Sequence, residues 1–468
     1  VTVGTRGFFV FLAVVVVGYH LLRGRTAKYA FLLGASWAFY AACSPRYLWV
    51  LLLLTAVDYF VALRIEAAAD DRRKRRWLVL SVVANLGLLA AFKYTPFAYD
   101  SAAAVAGLFG WAMPPRAWDV LLPLGISFHT FQGISYTADV YRGQIRAVRS
   151  PLDYALFVAF FPQLAAGPIV RAAEFLPQMA TPPVPTADQL GDGLHLFARG
   201  LFKKLVIADH LDLLGVSPVF ADPAAFAPAA HRWAVLAWAV QIYCDFSGYS
   251  DIAVGVAKWF GFELPANFDR PYLARSAPEF WRRWHLSFST WLRDYLYFPL
   301  GGSRGSSLRT NANLMTLFVL CGLWHGASGA WLVYGVYNGL LMCLHRAYDR
   351  ALAGVPWADR LRATAGYAVV AWAATFGQLL AALILVRMPD WATGGAMARS
   401  MLGLGDGGAG GVPAAVPLLV AAGLAGHVGG VVPVRVPGWA TMVGAAVAVA
   451  AVVVFAPGVG RTFLYIQF

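Results

Sequence analysis

Apolar runs long enough to cross a bilayer recur along almost the whole chain, and nothing else in the sequence restricts its fold so strongly. Backbone groups in hydrocarbon have no water to bond to, so a mostly apolar run of about 20 residues reads as a helix. Phe8–Leu22, Ala30–Cys43, Tyr47–Ile65 and Trp77–Phe92 open the series, followed by Val120–Val140, Tyr154–Ala166, Leu194–Leu214 and Trp233–Phe260. Leu314–Leu344, Ala365–Val386, Val412–Val431 and Thr441–Phe455 complete it. The pattern predicts an all-α, polytopic membrane protein of roughly eleven spans, organised as one integral membrane domain over residues 1–468. Charged residues make up only 13% of the chain, which leaves little material for a soluble domain. Thr5–Leu22 is followed by further spans and by no nearby small-residue cleavage site, so it reads as an uncleaved first span and not as a secretion signal.

The loops set an orientation. Arg23, Arg25 and Lys28 fill the first, Ser44–Arg46 is nearly bare, and Arg72, Arg73, Lys74, Arg75 and Arg76 crowd the third. By the positive-inside rule the first and third loops are cytoplasmic and the N-terminus lies outside. Arg142, Arg146 and Arg149 fall in a loop that the same count places inside. This topology accounts for the net charge of +13 without a nucleic-acid partner.

Several segments interrupt the simple picture. Leu194–Leu214 carries Arg199, Lys203, Lys204, Asp209 and Asp212, as a partly interfacial helix would. Tyr154–Ala166 runs into Phe161-Pro162-Gln163, and Leu314–Leu344 is too long for one helix and breaks near Gly322–Gly329. Irregular backbone at membrane depth needs protein or a water-filled cavity around it, so these two breaks point to an internal site. Phe262–Arg309, rich in Trp, Arg, Pro and Gly, reads as re-entrant or interfacial structure.

Ionisable side chains inside a membrane are costly and mark function. From Asn311 to Leu344 there is no Asp, Glu, Lys or Arg, and His325 is the one nitrogen base of that stretch that titrates near neutral pH. It is the candidate catalytic base, with a structural, hydrogen-bonded histidine as the competing role. Upstream, the run Phe280-Trp281-Arg282-Arg283-Trp284-His285 supplies a second imidazole, His285. There Arg282 and Arg283 are candidates for an anionic donor's phosphates, or for interfacial anchoring. Asp245 and Tyr249, one turn apart in Gln241–Asp251, are candidate substrate contacts, although polar packing between helices would use the same residues. Cys321 lies one turn before His325, which admits an acyl-cysteine route. Cys43, Cys244, Cys321 and Cys343 otherwise read as small buried side chains. Their spacing calls for neither a metal nor a disulfide.

With these residues in place, the chain resembles the membrane-bound O-acyltransferases, in the bacterial branch of alginate O-acetylation and teichoic acid D-alanyl transfer. The resemblance runs through Leu122–Phe128, Phe160–Arg171, Asp245–Asp251, Asn267–Tyr272, Phe280–His285, Trp291–Tyr295, Pro299–Ser303 and Trp324-His325-Gly326. It covers residues 122–341 in the family's order. Residues 393–437 depart from it, and His129 stands where relatives carry an aromatic.

The resemblance implies spans and re-entrant helices around a central tunnel. It makes His325 the catalytic histidine and His285 a second active-site group that orients the acceptor or meets the oxyanion; around them Arg282, Arg283, Trp284, Asp245, Tyr249 and Trp324 stand as the candidate substrate contacts. It implies transfer of an acyl group, acetyl by preference, from a coenzyme A or acyl-carrier-protein thioester to a hydroxyl, without a metal. Membrane lipid is the surrounding partner. A secreted serine esterase-like protein would take the exported acetyl group to a polysaccharide outside a bacterial cell membrane. The Ala, Val, Arg and Gly bias also suits a GC-rich bacterium. Direct acylation of a lipophilic metabolite or lipid-linked sugar is the alternative, and lipid transport or flipping a further one.

Overall fold

A computed structural model describes residues 4–116, 122–164, 166–388, 390–405 and 407–429, with positions 444, 446–448 and 450 beyond them. The expected stretch Thr441–Phe455 and the first residues of Val120–Val140 lie largely or wholly outside the described residues. Among those described the architecture is all-helical, and the only extended pairing is an isolated bridge between Phe226 and Gly410.

Pro45–Ala67, Asp71–Lys93 and Ala365–Arg387 are long and apolar enough to cross a membrane, while Arg6–Leu21 and Ala415–Val428 are apolar but shorter. Val10, Val14, Val17, Phe60, Val83, Val369 and Val370 are exposed on these helices. Water would penalise so much uncovered apolar surface, whereas lipid tails solvate it. Caps fix the helix starts: the Asp70 carboxylate accepts the Arg73 N–H at 2.7 Å, and Ser306 and Ser328 cap the helices that follow them.

The interruptions fall where the sequence places them. Pro151–Ala159 ends at Phe160, and a short helix, Phe161–Leu164, follows. Leu314–Leu344 divides into Ser307–His325 and Gly329–Ala351. The charged stretch after Leu194 continues the Ala187–Leu201 helix into π-helical turns at Phe202–Ala208 and Asp212–Val216. Residues 262–309 hold only short helices, among them Ala277–Trp281 and Leu286–Leu292.

Internal contacts define two compact units. The first comprises Val1–Leu194 and Ala253–Pro265. It buries a polar cluster: Asp58 accepts hydrogen bonds from the Ser81 hydroxyl at 2.6 Å and from the Asn85 amide at 2.9 and 3.0 Å. A Cβ at Gly133 would overlap the Asp58 carboxylate, so the Ile126–Tyr141 helix approaches through a bare α-carbon. One turn earlier on that helix, His129 is buried and neither ring nitrogen has a hydrogen-bond partner among the described residues.

The second unit comprises His195–Ile252 and the described residues from Ala266 onward. In it the Ser307–His325 and Gly329–Ala351 helices pack closely. A Cβ on Gly335 would come within 2.5 Å of the Phe318 carbonyl, and one on Gly339 within 2.7 Å of the Met315 sulfur. Small residues at such a crossing let backbones meet without side chains between them. The π turn at Phe202–Ala208 aligns residues five apart, and Lys204 pairs with Asp209 at 2.8 Å and with Asp245 at 2.6 Å. Arg199 and Lys203 pair with Asp251 at 2.7 and 2.8 Å. Of the four cysteines expected to be buried, Cys244 and Cys321 are, whereas Cys43 is exposed.

Candidate active site

His325 is the last residue of its helix, and the chain turns at Gly326 before Ser328 caps the next. The Gly326 backbone is extended at φ −160°, a conformation open to any residue. Its glycine is needed for space, because a Cβ there would run into the Trp331 indole. That indole stacks on the His325 imidazole at 5.3 Å between centroids and 21° between planes. The turn therefore places a partly exposed imidazole against a fixed aromatic plate.

His325 lines a cavity of about 40 Å³ with Tyr272, Phe280, Trp284, Trp331 and Tyr334. This has room for a few waters or the reacting end of a substrate. Tyr272 is held from three sides: its N–H donates to His427 Nε2 at 3.1 Å, its carbonyl accepts from the Trp372 indole at 2.8 Å, and its hydroxyl donates to the Ala239 carbonyl. Trp284 stacks on Phe280 at 5.6 Å and 18°.

Behind the wall, Phe288 and Trp324 stack at 4.1 Å, and both touch both imidazoles. Their centroids lie 5.0 and 6.3 Å from His285, and 5.8 and 4.7 Å from His325. His285 is completely buried and adopts left-handed backbone angles, φ 46°. That region is costly for most side chains, and such residues collect at functional sites. Its Nδ1 lies 3.1 Å from Asn267 Oδ1.

The structure thus brings together His325, Trp284, Trp324 and His285. Arg283 stands outside the cavity wall, paired with Glu279 at 2.8 Å, and Arg282 is exposed. Partial burial works against the Glu279 carboxylate, but the Arg275 N–H and Arg283 guanidinium hold it below the usual range. Asp245 is engaged by Lys204, and Tyr249 is buried on the same helix, neither lining the cavity. Cys321 is buried and likewise absent from the wall. Sequence reasoning missed Tyr272, Trp331 and Tyr334, and it gave no role to Asn267. The nearness of Trp331 and Tyr334 to His325 was the available signal for two of them.

The fold and site define a helical membrane protein with a half-buried histidine in the wall of an aromatic cavity and a second, buried histidine against the same Phe288–Trp324 stack. The membrane-bound O-acyltransferase family profile matches residues 32–386, and the chain belongs to that family. It is 41% identical over 347 residues to a probable alginate O-acetylase of Pseudomonas aeruginosa, which covers 72% of this chain and 64% of the relative. A peptidoglycan O-acetyltransferase of Helicobacter pylori is 35% identical over 430 residues, 85% of this chain and 78% of the relative. A teichoic acid D-alanyltransferase of Bacillus subtilis is 29% identical over 259 residues, 53% and 65% of the two chains. The chain therefore spans a little under two-thirds of the length of the Pseudomonas aeruginosa protein.

Proposed function

We propose that the chain is a membrane-bound O-acyltransferase that moves an acetyl group from a thioester donor to a hydroxyl, with His325 as the base. The observation that carries this reading is the position of His325, a half-buried imidazole in the wall of a cavity lined mainly by aromatic and aliphatic side chains. The imidazole takes the hydroxyl proton as the oxygen attacks the thioester carbonyl carbon. The C–S bond breaks, and the imidazolium returns that proton to the leaving sulfur. General base catalysis of this kind contributes typically about 10²–10⁴-fold.

The donor in this reading is acetyl-CoA or an acyl-carrier-protein thioester. Arg282 and Arg283 offer cations to its phosphates, and Trp284 provides apolar contact in the cavity wall, with Trp324 packed behind it. Polysaccharide O-acetylation is favoured by the alginate and peptidoglycan activities named for two of the relatives. In this reading the N-terminus lies outside, the Arg72–Arg76 loop lies in the cytoplasm, and donor and acceptor reach the site from opposite faces of the membrane. The acetyl group leaves to a secreted serine esterase-like partner that acylates the polysaccharide.

Incubating purified protein with radiolabelled acetyl-CoA, or acetylated carrier protein, tests the reading. Transfer falls by at least about 100-fold in His325→Ala, while the folded fraction is kept. Equal activity in that variant would remove His325 from its role.

A further inference from the structure

Asn267 sits at the centre of a hydrogen-bond cluster around His285. Its side-chain oxygen accepts the Ser287 backbone N–H at 3.2 Å and the Ser287 hydroxyl at 2.9 Å, and it lies 3.1 Å from His285 Nδ1. Its amide nitrogen donates to Ser250 Oγ at 3.3 Å, and its backbone carbonyl accepts the Leu286 N–H at 2.9 Å. These bonds hold the ring of the left-handed His285 and the backbone of the two residues that follow it.

They also decide where the imidazole carries its proton. A backbone N–H can only donate, so the carboxamide atom facing Ser287 is the oxygen and not the amino group. That oxygen can only accept, so His285 must donate to it, and the neutral ring bears its hydrogen on Nδ1. The lone pair is left on Nε2. The Phe288–Trp324 stack touches both imidazoles, so the two rings lie against one shared aromatic pair.

We propose that Asn267 is a positioning residue that holds His285 as its Nδ1–H tautomer, so that His285 serves the site as a proton acceptor and not as a donor to the oxyanion. The functional half of this inference rests on the acyl-transfer reading, whereas the tautomer does not. When His325 takes the acceptor's proton, it becomes a cation beside His285. A lone pair on the second ring favours that cation, much as an oriented acceptor does in other imidazole-based sites. A hydrogen-bearing Nε2 would oppose it. The oxyanion must then be met by other donors.

The tautomer is read by nitrogen NMR on the full-length, ¹⁵N-histidine-labelled protein in lipid nanodiscs at neutral pH. The His285 signals are assigned by their loss in His285→Asn. Pyrrole-type Nδ1 and pyridine-type Nε2 are expected, and the reverse pattern would overturn the proposal. Asn267→Leu removes the acceptor, so the pattern should become mixed or inverted, and transfer should fall about tenfold or more with donor KM retained. Asn267→Asp keeps an acceptor and adds a negative charge next to the ring. The imidazole then holds its proton to higher pH, and the acidic limb of the transfer rate moves up by about one pH unit or more. An active Asn267→Asp with an unmoved acidic limb would refute the acceptor role. Absence of transfer by the unsubstituted protein would sink the acyl-transfer reading, and full activity in His325→Ala would remove His325 as its base, each leaving the NMR result intact.

Discussion

Gly326→Ala tests how the turn after His325 is built. The substitution adds one methyl group, and the backbone there, extended at φ −160°, accepts alanine without strain. The whole cost therefore comes from the Trp331 indole, whose Cγ would lie 2.7 Å from the new carbon and whose Cδ1 and Nε1 would lie closer still. Overpacking of this kind costs about 1–3 kcal/mol. Trp331 is in the first turn of its helix, so relief comes from rotation of the indole, which strips the stack from His325. Unfolding in lipid–SDS mixed micelles should show this loss in the single variant, and acetyl transfer should fall with it. In a Trp331→Ala background the three atoms nearest the methyl group are gone, and Gly326→Ala should cost far less. The double-mutant cycle should therefore give an interaction of about 1–3 kcal/mol. Equal costs in the two backgrounds would refute the argument that the glycine serves the indole.

Further outcomes follow from the polar interior. Lys204→Met leaves Asp209 and Asp245 buried without that ammonium, and it should destabilise the folded protein by about 3–5 kcal/mol in the same unfolding assay. Asp58→Ala deprives Ser81 and Asn85 of their shared acceptor, a loss of about 1–3 kcal/mol, and Asp58→Asn should lose less. The Glu279 carboxyl is held below its ordinary range, so its contribution to stability is complete above the unfolded-state carboxyl value. It is lost as pH falls through the lower folded value. Glu279→Gln should flatten the acid side of a stability-against-pH curve, and an unchanged curve would show that the Arg275 and Arg283 contacts contribute nothing there.

Much of this molecule was legible in order along the chain. The apolar period and length mark helices, because lipid leaves the backbone no other way to bond itself. The break near Gly326 showed as a run too long for one span that contained glycines, and His325 stood out because Asn311–Leu344 holds no charged side chain. Asp245 could not be assigned from its own helix, since its partner Lys204 comes from a π turn 41 positions earlier. Asn267 was visible as part of a motif, yet its task depends on Ser250, His285 and Ser287 meeting around one oxygen.

The sequence by itself determined that this chain is a helical membrane protein, where its internal break falls and which imidazole lies at that break, because hydropathy and the cost of charge in lipid act locally. Only the tertiary structure decided which rings wall the cavity, which carboxylates are neutralised by cations and which nitrogen of His285 carries hydrogen. Those outcomes depend on distances of about 3–6 Å between residues far apart in the chain, where hydrogen bonding and ring contact operate.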